Sequence, residues 1–210
     1  MQWILEHREL ISLLVTVGTL VVWIVYLQVF LASYRRQRKP TILINLGQGR
    51  GLDAHCLVTN MSAEAIYIHA LIARIEGPEG VLVCSITELD NETWSDPSEI
   101  RLWTRQGPLK AGHVRDMGGV QAIIDHVTES APKGGPSLDL GNGRHSLELK
   151  VIAVHGSEDL LAGARRTFDI IQHEDRPALR PRSYGATQIR SRRERRQMER
   201  SLADELPEVI

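Results

Sequence analysis

The sequence predicts a mainly β chain. One N-terminal transmembrane helix precedes an antiparallel β-sandwich with a short inserted helix, and a charged helical tail follows. Three observations carry that reading. Ile11 to Ala32 read ISLLVTVGTLVVWIVYLQVFLA, with no charge. Between 41 and 172, short β-branched and apolar segments recur between turn residues, and helices do not alternate with them. From 189 to 206 the chain is rich in Arg, Glu, Gln, Met and Leu, which favour helix.

The apolar run comes first. At 1.5 Å per residue it extends roughly 33 Å, enough to cross a hydrocarbon core. It is longer than a signal-peptide apolar region, and its leading flank, EHRE, is mixed in sign, so a retained anchor is expected. Trp23, Tyr26 and Tyr34 suit an interfacial belt. Arg35, Arg36, Arg38 and Lys39 follow directly, whereas only Arg8, between Glu6 and Glu9, precedes. Basic flanks stay cytoplasmic, so the expected topology is N-terminus outside, C-terminal domain inside, in the plasma (inner) membrane. On that topology the glycosylation triplets at Asn60 and Asn91 are chance matches. The tripeptide TVG at 16–18 is read as ordinary helix, because a potassium filter needs two spans.

The expected boundaries are a flank at 1–10, the span at 11–32, a basic linker at 33–40, the β domain at 41–172, a linker at 173–188 and the Arg-rich helix at 189–206. Within the β domain, TILIN (41–45) is a β-branched first strand and HCLVTN (55–60) alternates between two faces. AIYIHALIARIE (65–76) and VLVCSITEL (81–89) flank the turn GPEG and read as a hairpin. EIRLWTR (99–105) alternates Arg101, Trp103 and Arg105 against Ile100, Leu102 and Thr104. In DMGGVQAIIDHVTES, Val120, Ile123, Ile124 and Val127 make one helical stripe, with Asp116 near its start. HSLELKVIAVHG (145–156) puts Leu147, Leu149 and Val151 on one face, and ARRTFDIIQ (164–172) does the same with Arg166, Phe168 and Ile170.

The segments HCLVTNMSAEAIYI and HSLELKVIAVHGSEDLLAGARRTFDI resemble the immunoglobulin-like class in general pattern. The antibody order of Cys, Trp, Cys is absent, since Trp94 and Trp103 both follow Cys84. The resemblance therefore implies an architecture and no family.

Composition and motifs restrict the chemistry. With 25 basic and 26 acidic residues, the net charge is −1, but basic residues gather at 35–39 and 176–200. Two cysteines, Cys56 and Cys84, are too few for a disulfide framework and are expected as free thiols in the cytoplasm. Gly47, Gly49 and Gly51 in NLGQGRG lack the spacing and following helix of a dinucleotide fingerprint and read as a strand-to-strand turn. The histidines are scattered without metal-ligand spacing, and no nucleophile motif is present. Neither metal nor cofactor nor catalysis is expected.

The function these features imply is a non-enzymatic interaction or scaffold module held at the inner membrane face. Candidate partner or lipid contacts are Arg101, Trp103 and Arg105 on one strand face, and Arg192, Arg193, Arg195 and Arg196 in the tail. Anionic lipid suits the tail. Nucleic acid does not, because Glu194 and Glu199 interrupt the basic run and no aromatic residue is there to stack. The alternatives are a ligand- or metal-sensing anchored domain, with His55 or His69 near Cys84, and an accessory subunit whose span pairs with other helices.

Overall fold

The computed structural model describes residues 8–37, 40–47, 49, 51–86, 105–132, 134, 136, 138, 140, 143–155, 160–173, 176–191, 193–196 and 198. The chain divides into two compact units, 1–39 and 40–210.

The first unit is the helix α1 (Arg8–Gln37). Its stretch Ser12–Tyr34 is long and apolar enough to cross a membrane. The two threonines on it hide their hydroxyls. Thr16 Oγ1 donates to the Ser12 carbonyl and Thr19 Oγ1 to the Val15 carbonyl, each at 2.8 Å. Such back-bonding satisfies a polar group within the helix itself.

The second unit is built of antiparallel strands. They are β1 (Ile42–Gly47), β2 (His55–Asn60), β3 (Ile66–Gly77), β4 (Gly80–Ile86), β5 (Gly107–Leu109) and β6 (Val114–Gly119), then the helix α2 (Val120–Glu129), then β7 (His145–His155), β8 (Leu160–His173), β9 (Arg176–Pro181) and β10 (Thr187–Ile189). A small sheet has the order β1-β2-β6. A large one has the order β10-β8-β7-β3-β4, with β5 also on β3 and β9 also on β8. The long β3, β7 and β8 thus form its centre, and short strands divide each edge between them.

Both sheets and α2 contribute to one apolar core. Ile42, Ile44, Cys56 and Val58 come from the small sheet; Leu71, Ile75, Leu147, Leu149, Val151 and Phe168 come from the large one. The stripe Val120, Ile123, Ile124 and Val127 is buried as its spacing predicts. In β3 the register slips between Ile68 and Ala70, so the inward set changes from Ile66 and Ile68 to Leu71, Ala73 and Ile75. One extra residue reverses the faces that strict alternation would give.

The glycine cluster does make a strand-to-strand connection. Gly49 and Gly51 have φ of +116° and +68°, and the chain passes through a 3-10 turn at Gly51–Asp53 into β2. A Cβ on Gly51 would lie 2.6 Å from the Pro177 carbonyl oxygen, so this turn is pressed against β9.

Polar side chains join the two sheets. Arg166 of β8 points inward and reaches β1, where Nη1 donates to the Ile44 carbonyl and to Asn45 Oδ1, both at 2.6 Å. Gln188 of β10 serves the same edge, accepting from the Ile42 N–H at 3.0 Å and donating to the Ile42 carbonyl at 2.6 Å. Its amide stands where a neighbouring strand's peptide would. From β6, Arg115 donates to the carbonyls of Gln106 (2.7 Å) and Pro108 (2.9 Å) around β5. The fully buried Asn60 donates to the carbonyls of Glu64 and Leu109, each at 2.9 Å.

The structure corrects three boundaries. The expected linker 173–188 contains β9 and β10, both paired to β8. Pro177 and Pro181 are tolerated because β9 is an edge strand. Ile189, expected to be helical, ends β10. Asp116 and Gly118, expected near a helix start, belong to β6, where Gly118 takes φ of +97° at a register shift opposite β2.

Removing the Arg166 fork leaves the Ile44 carbonyl facing a dry interior. Arg166→Met is expected to lower unfolding stability of the detergent-solubilised chain by about 2–4 kcal/mol in denaturant titration. Arg166→Lys should recover less than half of that, since an ammonium cannot reproduce the fork. A loss below about 0.5 kcal/mol would show that water satisfies the β1 edge.

Candidate functional site

On α1 the expected interfacial aromatics are Trp23, Tyr26 and Tyr34, with exposures of 66%, 64% and 42%. Trp23 meets Tyr26 edge-on, and Phe30 stacks on Tyr34. The four fall on one side of the helix, three or four residues apart. Arg35 and Arg36 lie in its last turn. Arg38 and Lys39 lie outside the described residues, as do Arg101, Trp103 and Arg192.

Arg105 is not the exposed contact expected of it. It is 4% exposed, and its Nε and Nη1 have no hydrogen-bond partner among the described residues. Burial lowers its pKa to about 10, against the favourable pull of Cys56 and Asp116. Burial likewise pushes the Cys56 thiol up to about 12, with Arg105 opposing. Cys56 is therefore protonated at neutral pH and is no nucleophile. Asp116 accepts from the Gly118 N–H and from His55 Nδ1, each at 2.7 Å. The group lies where β2 and β6 meet the segment entering β5, and it ties the small sheet to that segment.

The tail arginines split by environment. Arg193 and Arg196 are exposed; Arg195 is half-buried, and its Nε has no partner among the described residues. A helical turn at 193–196 begins at Ser191, whose Oγ accepts from the Glu194 N–H at 3.2 Å and donates to Glu194 Oε2 at 2.6 Å. This is the Ser-x-x-Glu helix-start signature, and it was readable in the sequence. Beyond it, Met198 is buried with Ile189, Ala70, Ile72 and Ile152 in a second, smaller cluster. That cluster covers the outer face of the large sheet, away from the main core. Gly163 opens the space. A Cβ there would lie 2.8 Å from Met198 Sδ and 3.2 Å from Ile189 Cδ1. Glu194 Oε1 is 3.8 Å from Arg165 Nη2. Its pKa is lowered first by the Ser191 hydroxyl and then by Arg165, Ser191's backbone and Lys150.

Elsewhere that outer face carries a polar row, beside the exposed Val81 and Val83 of β4. Strand register aligns Glu76, Ser146, Asp169 and Arg180 in one row across β3, β7, β8 and β9. The row borders a cleft of about 680 Å³ that Arg144, His145 and Arg182 also line. Arg182 Nε donates to Asp169 Oδ1 at 2.6 Å, and Arg180 Nη2 lies 3.8 Å from Asp169 Oδ2. No sequence motif announces this cleft, because its residues come from four strands.

For the sensing alternative, no group of three or more His, Cys, Asp or Glu side chains among the described residues is placed to hold a metal. His55 is engaged with Asp116, and His69 stacks loosely on Tyr67. Cys56 and Cys84 are both free thiols.

Gly163→Val is expected to eject Met198 and Ile189 and so expose the Arg193–Arg196 turn. Tryptic cleavage of the full chain there should accelerate about tenfold or more while strand content is unchanged. Met198→Asp should do the same by burying a charge. In wild type the contribution of Glu194 is full at neutral pH and is lost as pH falls from the ordinary carboxylate value through its lowered one. Unchanged cleavage in both variants would mean that the tail is not held by this contact.

No known protein family matches the chain, and neither curated proteins nor solved structures show a significant match to it.

Proposed function

We propose that the chain is a single-pass membrane protein with its N-terminus outside and residues 40–210 in the cytoplasm. There the β domain, as a sandwich of the immunoglobulin-like class, serves as a non-enzymatic interaction or scaffold module at the inner membrane face. One observation carries the reading. The stretch Ser12–Tyr34 is long and apolar enough to cross a membrane, and its large apolar side chains are exposed. So much exposed hydrocarbon requires a lipid environment or a partner. The cationic cluster after it favours retention of the following domain on the cytoplasmic side. The inner faces of both sheets share one main core, which supports a rigid body that presents surfaces to others. Exposed Arg193 and Arg196 are the tail residues best disposed to touch a partner or anionic lipid.

A second reading is an accessory subunit whose span pairs with other helices. It draws on the ridge of Trp23, Tyr26, Phe30 and Tyr34 along one side of α1.

Tyr184 is fully exposed and suits a topology probe. With Tyr184→Cys, a membrane-impermeant maleimide should label the chain only after cells are permeabilised. Replacing Arg35, Arg36, Arg38 and Lys39 together by Asn should produce molecules labelled from outside. Labelling of the otherwise unaltered chain in intact cells would overturn the topology. Cross-linking in mild detergent should then recover protein partners that Arg193→Glu with Arg196→Glu weakens. Recovery lost only on exchange of the span would favour the accessory-subunit reading.

A further inference from the structure

We propose that the end of the small sheet that carries Thr41 rests on the lipid surface, with Met61, Leu43 and Val114 as its apolar contact. The inference rests on the reading of α1 as a span, but not on the direction of that span or on the scaffold role.

Register assembles the patch. Ile42, Ile44, Cys56 and Val58 are buried in the core, so the residues between them on β1 and β2 face outward. Leu43 pairs with Thr59 and Thr59 with Val114, which makes one outward row across β1, β2 and β6. Met61 stands one step beyond that row, its N–H donating to the Thr41 carbonyl at 2.9 Å. Val114 is 57% exposed and Met61 56%, while Leu43 is half-buried. The next outward row, Asn45, Leu57 and Asp116, is mostly polar. The face therefore turns from polar to apolar toward Thr41.

The frame beneath the patch is tightly bonded. Asn60 is fully buried, and its side chain donates to the Glu64 and Leu109 carbonyls. Its N–H donates to the His113 carbonyl at 3.0 Å, and its own carbonyl accepts from the Gly112 N–H at 2.8 Å. The Ser62 N–H donates to Asn60 Oδ1, and Ser62 Oγ accepts from the Thr41 N–H, each at 2.9 Å. The entering chain, the 61–65 loop and the turn between β5 and β6 are thus joined into one piece. A satisfied buried network of this kind is rigid, so the exposure of Met61 and Val114 is fixed by the fold.

Position selects the occupant. Only residues 38–40 separate the end of α1 from Thr41. An extended chain of that length reaches about 15 Å at most. With the end of α1 at the lipid interface, Thr41 and the Met61 bonded to it stay within reach of the headgroups, and lipid is the surface always at hand. The loops 61–65 and 110–113 carry one Lys110 against one Glu64, both exposed. The attraction is therefore apolar and works in zwitterionic lipid.

The experiment places a fluorescent label on single cysteines of the full chain, in phosphatidylcholine nanodiscs that contain headgroup-nitroxide lipid. Cys56 is buried and does not compete; Cys84→Ser removes the other thiol. Labels at Met61→Cys and Val114→Cys should be quenched about twofold or more beyond those at Asn45→Cys and Tyr184→Cys. A label at Thr59→Cys should be quenched like Met61→Cys. It should fall to the Asn45→Cys level when Met61→Glu and Val114→Glu are introduced together, with strand content unchanged. A label at Val22→Cys, read against nitroxide deep in the acyl region, reports on the span itself. Quenching at Val22 while Met61 and Val114 match Asn45 overturns the inference and leaves the span standing. An unquenched Val22 overturns the span, and this inference with it. Quenching at Thr59 that survives the double variant shows that the tether alone brings the sheet to lipid, and overturns the role of these side chains. A Met61 label shielded from water yet unquenched, in discs with more than one chain, assigns the patch to a second copy and also overturns it.

Discussion

Two sheets that enclose one core leave strand edges inside the protein, and the peptide groups along those edges must find partners. In this chain the partners are side chains. Arg166 and Gln188 complete the outer edge of β1, while Arg115 and Asn60 reach the carbonyls around β5. A buried carbonyl without a donor costs as much as several favourable contacts contribute. The alignment of the small sheet over the large one therefore depends on these donors as much as on the apolar core. Arg166 also explains why a guanidinium tolerates burial beside Phe168. Its Nη1 donates to the Ile44 carbonyl and to Asn45 Oδ1, and its carbon lies 5.3 Å from the ring centre.

Gln188 lies in the C-terminal segment, so the closing of β1 and the covering of the outer sheet face are one event. The segment that supplies Gln188 goes on to seat Ile189 and Met198 against Gly163. The outer face is thereby divided. One half is apolar and covered by the tail. The other carries the ordered polar row and the arginine-lined cleft. A basic tail that looks free in a linear reading is anchored by its few apolar residues, which leaves Arg193 and Arg196 pointing outward from a defined place.

Much of this was legible. The alternation of β2, the inward faces of β7 and β8 and the stripe of α2 follow from periodicity, because each element is long enough to express its period against one core. The apolar length of α1 needed no tertiary information. What failed did so for physical reasons. β9 carries two prolines and reads as a linker, since only its place at an edge makes prolines acceptable. Arg105 alternates with Arg101 in the sequence, but the fold buries it and brings it within electrostatic reach of Cys56 and Asp116, both distant in sequence. β5 and β10 are three residues each, too short for a period. The cleft was invisible because register, not spacing, assembles it. Ser191 and Glu194 are a local signal for the tail helix start, set among many arginines that carry no such signal.

The central claim is that the C-terminal segment through Met198 is an integral part of the β domain. Native-state hydrogen exchange on the intact chain in detergent tests it most directly. Amides of 187–189 should be protected to a degree comparable with the 163–165 amides they pair with, and should open together with β1. Exchange of 187–198 at the rate of an unstructured peptide, beside a protected β7 and β8, would contradict it.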